Sequence, residues 1–143
     1  MEIIDGKQFL FCRVDRGEDL LRSIIKAIED TKLSTGVVVS GVGSLLRARI
    51  HMVSSNDFPP KDDFLDFEGP LEIVSLQGII ADGQPHLHIS IVNRDFKSFS
   101  GHLEEGCLIL SICEVAIAKV DDPKVTRTVF PGTKVGKLIR LSP

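Results

Sequence analysis

The chain has 143 residues, 43% hydrophobic and 26% charged, which fits one globular domain able to bury roughly two-thirds of its unfolded surface without staples. Its net charge of −3, with Lys and Arg scattered rather than clustered, excludes the basic stripe of a nonspecific nucleic-acid binder. No apolar run approaches the roughly 20 residues that span a bilayer, and the opening MEIIDGKQFLF lacks the basic and long apolar regions of a signal peptide.

Gln8 to Val14 reads as a short strand. DRGEDLLRSIIKAIEDTKL then places Leu20, Leu21, Ile24, Ile25 and Ile28 on one face at helical spacing, which predicts a helix from about Gly17 to about Thr31 with Glu18 and Asp19 in its first turn. Gly36 to Ser40 is β-branched, Gly41 and Gly43 interrupt it, and Leu45 to Val53 resumes as a strand. Alternation there sets Arg47, Arg49 and His51 on one face and Leu46, Ala48, Ile50 and Met52 on the other. The polar face reads as a solvated or interface surface, or as an anion-binding strip.

Residues 54–69 hold Pro59, Pro60, several carboxylates and Phe58, Phe64 and Phe67. Read as one irregular stretch, this is a long loop of the kind that serves as a lid or a subunit-contact arm. From Pro70 onward strands follow one another: LEIVSLQGIIA, HLHISIVN and CLILSICEVAIAKV, with KVTRTVF and VGKLIRL in the tail. DGQP between Asp82 and Pro85 marks a turn. One early helix and many strands joined by short turns predict an α+β fold, a single domain over residues 1–143 built on a mainly antiparallel sheet.

Cys12, Cys107 and Cys113 are odd in number and contain no C-x-x-C. On one strand, Cys107 and Cys113 would stand about 20 Å apart, too far to bridge. Free thiols in a reducing compartment are expected, hence a cytoplasmic location.

The chemistry concentrates in PHLHISIVNRDFKSFSGHLEEG, which holds three of the four histidines. Period two puts His86, His88 and Ser90 on one strand face and Leu87, Ile89 and Ile91 on the other. The two imidazoles then stand about 7 Å apart at Cα. With His102 as a third ligand they form the donor set of an open zinc site. Packing histidines, hydrogen-bonded or at a subunit interface, are the competing reading. Glu72 and Glu114 are acids in apolar strands, each a candidate general base or support for a metal-bound histidine, and each equally a surface ion pair. SGVGSL is not a dinucleotide fingerprint, since Leu46 takes the last glycine position and a strand follows. Neither a P-loop nor a G-x-S-x-G occurs.

Taken in order, R-G-E-D-L before the helix, S-G-V-G-S-L, G-P-L-E-I-V-S-L-Q-G, H-L-H-I-S-I, S-G-H-L-E-E-G and the strand ending in C-E-V resemble the PPC domain, the plants and prokaryotes conserved domain, over about residues 7 to 120. The resemblance implies an antiparallel α+β domain assembled as a homotrimer. It also implies that His86, His88 and His102 match the histidines with which some prokaryotic members hold a metal such as zinc, and that Glu72 matches the acid of the E-I-x-S-L-x-G segment. The DNA-binding label of the family derives from the plant AT-hook, and no R-G-R-P core is present here, so nucleic acid is not expected as a partner of this chain alone. Ser100 stands where the pattern carries a second glycine. Two functions stay open, and DNA binding, as in the plant relatives, is a third that the charge disfavours. One is a trimer with a three-histidine site for zinc, another divalent metal or a small ligand, which leaves open whether it is an enzyme. The other is a trimeric interaction module whose histidines are structural and whose partners dock on Phe58 to Phe67.

Overall fold

The computed structural model describes residues 1–141. Its architecture is one helix, α1 (Leu20–Thr31), laid on a seven-stranded antiparallel sheet, followed by a separate two-stranded hairpin. In chain order the sheet strands are β1 (Glu2–Asp5), β2 (Phe9–Asp15), β3 (Thr35–Val53), β4 (Asp62–Ala81), β5 (Gln84–Asn93), β6 (Ser98–Leu103) and β7 (Leu108–Lys119), and the hairpin is β8 (Val125–Val129) with β9 (Gly136–Arg140). The spatial order is β1-β2-β7-β3-β4-β5-β6, and β6 also pairs with the end of β3. The second half of β3 therefore closes a ring with β4, β5 and β6. The expected α+β class with a mainly antiparallel sheet is what the chain forms.

The helix begins at Leu20 rather than Gly17. Gly17 adopts φ +82°, and Asp19 is the cap, its carboxylate accepting from the backbone N–H of Arg22 at 3.1 Å and from that of Gly106 at 2.6 Å. Glu18 and Asp19 thus precede the first turn instead of lying in it. The cap satisfies helix N–H groups that would otherwise lack partners. Leu20, Ile24, Ala27 and Ile28 are buried and join Leu10, Cys12 and Val14 of β2 and Cys113, Val115 and Ile117 of β7 in one core.

Two strand boundaries differ from the sequence reading. Gly41 and Gly43 do not divide β3, which runs as one bulged strand of 19 residues. The expected loop over 54–69 shrinks to 54–61, because β4 starts at Asp62 and pairs with β3 from Val53 back to Arg47. Its carboxylates read as loop residues, yet one of them finds cross-strand cations: Asp66 accepts from Arg49 at 3.0 Å and lies 3.5 Å from Arg47. The two arginines are therefore ion-paired rather than an open anion strip. The phenylalanines are fastened within the chain, Phe64 against His51 (5.2 Å between ring centroids), Phe67 against Phe99 (4.6 Å) and Phe58 edge-on to Phe130 (5.6 Å). Neither β1 nor β6 is among the strands read from the sequence.

Cys12, Cys107 and Cys113 are free and buried. Burial pushes their thiols up, to about 11 for Cys12 and Cys107 and about 12 for Cys113, which holds them in the unreactive thiol form; the Cys107 sulfur also bonds the backbone N–H and carbonyl of Arg49, both at 3.3 Å. Among the described residues no helix is long and apolar enough to cross a membrane.

Candidate metal centre

The strand that carries His86 and His88 is pinned by its other face. Leu87, Ile89 and Ile91 are at most 2% exposed, and each such burial is worth about 1.5–3 kcal/mol. A one-residue slip would turn all three to solvent and the histidines inward, so the register is fixed by several kcal/mol. Ala81 and Gln84 face each other across a two-residue turn in which Asp82 (φ 51°) and Gly83 (φ +74°) take left-handed backbone, the geometry a tight hairpin between β4 and β5 requires.

β6 brings the third imidazole. Its register sets His102 opposite His88 of β5 on one side and opposite His51 of β3 on the other. Gly101 makes this approach possible, because a Cβ there would lie 2.6 Å from the carbonyl oxygen of His51. All four histidines of the chain consequently share one cluster. Ring centroids are 4.5 Å apart for His51 and His102, 4.9 Å for His86 and His102, 5.4 Å for His86 and His88, and 5.5 Å for His88 and His102.

Within the cluster, one ring nitrogen from each of His86, His88 and His102 lies within 4.8 Å of the others. Three nitrogens on a tetrahedral zinc sit about 3.3 Å apart at bond lengths of about 2.05 Å, so the rings would have to draw closer than this span to hold one. The donors suit a metal electronically as well. His102 is pushed down to about 4 by burial and then by the neighbouring imidazoles, and His86 is lowered by burial and then by the charge of Arg127. Both rings are neutral near pH 7 and keep a lone pair for an ion.

His51, Glu104 and His102 form a second group with ligand atoms inside the same span. This one is closed by its own hydrogen bond: His51 Nδ1 and Glu104 Oε1 are 2.7 Å apart. The carboxylate fixes the tautomer of His51, whose ring lies flat on His102 and against Phe64 and so holds His102 in place. Neither His51 nor Glu104 was singled out as a site residue from sequence. Alternation put His51 on the polar face of β3, but only the β3–β6 register reveals what it meets.

Glu72 lies elsewhere. It is exposed on β4 opposite Ser44 and Val92, while Gln77, five residues on and about 16 Å away along a strand, is the residue opposite His88. The single chain does not bring it to the histidines. Glu114 faces Arg13 of β2 and Val42 of β3, also outside the cluster.

The histidines line a cavity of about 1100 Å³. Its other walls are the 54–61 loop, through Pro59 and Pro60, and the β8–β9 hairpin, through Arg127, Val129 and residues 132–136.

The sequence pattern of the Plants and Prokaryotes Conserved (PCC) domain matches residues 3–121. Over 117 residues, 82% of this chain, it is 30% identical to the bifunctional protein GlmU of Synechococcus sp. strain JA-3-3Ab. The chain spans only about 18% of the length of that relative and of its counterpart in a second Synechococcus strain. The crystal structure of a plant- and prokaryote-conserved (PPC) protein from Pyrococcus horikoshii superposes with a TM-score of 0.76 at 25% identity, covering 98% of this chain and 97% of that one. A metal-containing protein from Archaeoglobus fulgidus superposes at 0.78 with 24% identity, covering 99% and 97%. Pattern and fold agree, and the chain belongs to the plants and prokaryotes conserved domain family.

Proposed function

We propose that this chain is a homotrimeric metal-binding protein in which His86, His88 and His102 hold a divalent ion, zinc by donor type, facing a cavity that admits a small molecule. The observation that carries the reading is the convergence of three imidazoles from β5 and β6 with ring nitrogens within 4.8 Å of one another. Three histidines leave a fourth coordination position, and such an ion supplies Lewis-acid polarisation or an activated water when bound. Glu104 contributes by holding His51 against His102, the outer support that metal-bound histidines commonly need. The fold-level likeness to a metal-containing archaeal protein agrees with this reading.

The trimer implied by the family resemblance finds support in the outer face of the sheet. Phe9, Ala118, Val37, Ile79 and His86 form one register row across β2, β7, β3, β4 and β5. Phe9, Val37 and Ile79, with Phe11 and Val39 beside them, are exposed apolar residues. An apolar stripe of this kind marks an association surface, and it runs directly into the histidines. The alternative module, docking partners on Phe58 to Phe67, loses Phe67, which packs against Phe99 and the core, while Phe58 and Phe64 stay exposed. Nucleic-acid binding is disfavoured by the net charge and by the pairing of Arg47 and Arg49 with Asp66.

The test is elemental analysis of gently purified protein. Near-stoichiometric zinc is expected, lost in His88→Ala. Protein that stays metal-free after zinc loading and removal of excess ion overturns the proposal.

A further inference from the structure

The β8–β9 hairpin lies beyond the residues that match the family pattern, yet it forms a wall of the histidine cavity. Among the described residues its strands pair with each other and not with the seven-stranded sheet. The side chain of Arg127 ties it to the sheet, Nη1 donating to the carbonyl of Gln84 at 2.8 Å and Nη2 to that of Ile79 at 2.9 Å. Ile79 is the register partner of His86, which places the guanidinium at the edge of the histidine cluster.

Those two bonds use two of the five N–H donors of a guanidinium. Among the described residues Arg127 makes no ion pair. Its charge is partly desolvated, and burial alone lowers it from the ordinary arginine value. Lys134, on the hairpin turn, lines the same cavity and is likewise without an ion pair, and Asp62 is the one carboxylate among the lining residues. Among the described lining residues two cations without an ion pair stand against one carboxylate. A guanidinium whose plane is fixed by backbone carbonyls is preorganised to grip a planar anion with its remaining donors.

We propose that Arg127 is the anion-binding residue of this site, so that the histidine centre takes a small organic carboxylate, one end at the histidines and the other on the guanidinium. The histidine end rests on the metal reading above; the guanidinium end stands on its own geometry. Neutral molecules of the same shape engage only one end and bind less well. Lys134 adds attraction without the fork geometry and contributes less.

Titration calorimetry on the full chain, zinc-loaded and zinc-free, tests this with lactate as the probe, lactamide as its uncharged counterpart and inorganic phosphate as a second anion. Lactate is expected to bind the wild type more tightly than lactamide and to weaken with added salt. Arg127→Gln should weaken lactate roughly tenfold or more with zinc content unchanged, Arg127→Lys should retain part of the affinity, and Lys134→Met should lose only a few-fold. Phosphate binding more tightly than lactate with the same Arg127 dependence would replace the carboxylate by a phosphate group and overturn that part of the assignment. Equal affinity for lactate and lactamide, or Arg127→Gln binding lactate like the wild type, overturns the whole. Should Arg127→Gln unfold, the lactate–lactamide comparison and salt dependence in the wild type still decide. Arg127-dependent lactate binding by protein that takes up no zinc would sink the metal reading and leave this one standing.

Discussion

His102 is the residue on which the cluster turns: it faces His88 on one strand, His51 on another, and is pushed down to about 4. In the unfolded chain a histidine protonates near 6.5. Above that value both states are neutral and the ring contributes its full stability. As pH falls toward 4 the unfolded state gains a proton the folded state refuses, so stability is lost across that window. Metal-free protein should therefore show a urea midpoint that drops between pH 7 and pH 5, and His102→Asn should flatten the drop. A midpoint as steeply pH-dependent in His102→Asn as in the wild type would assign the effect to another group. At this scale the sequence was informative for H-x-H and uninformative for His51 and Glu104. Alternation tells which face a side chain takes, but the partner across the sheet depends on a register set by Gly101, far from His51 in the chain.

Among the elements, β6 is the one whose placement assembles the site. Its closeness to β3 depends on the missing Cβ at Gly101. Gly101→Val should push β6 away from β3 and cost about 1–3 kcal/mol, the range for forcing extra atoms into a packed contact, with a parallel loss of zinc affinity. Ser100→Ala next to it removes only an exposed hydroxyl bond to Ser90 (2.8 Å) and should change stability by no more than about 1 kcal/mol. Urea unfolding of the two variants checks this, and equal stabilities would show that the strands separate without cost. Helix α1 and strand β5 were legible because their apolar residues repeat at 3.6 and 2. The start of β4 was not, because DDFLDFE carries four acids that read as loop, and only the register against β3 reveals that one of them, Asp66, meets Arg47 and Arg49.

For the whole molecule, the class of fold followed from element order, while the strand order β1-β2-β7-β3-β4-β5-β6 did not, since pairings such as β2 with β7 join residues about a hundred positions apart. That order creates the apolar row from Phe9 to Ile79, and with it the assembly prediction. Sedimentation should give about three times the 15.7 kDa chain mass for the wild type. Phe11→Asp together with Val39→Asp, both at exposed positions, should yield folded monomers. A monomeric wild type, or an intact trimer in the double variant, would remove this face as the contact.

The ends of the sheet also restrict how copies can meet. At one end β1 is only four residues long and bears Glu2 and Asp5. At the other, the last residues of β6 are already bonded to β3. Neither end offers a long, flat, uncharged backbone ladder of the kind that recruits a strand from another molecule. Strand addition at these two ends, the route to open-ended aggregates, is thereby disfavoured, so the proposed trimer would have to meet through sheet faces and not through the ends of the sheet.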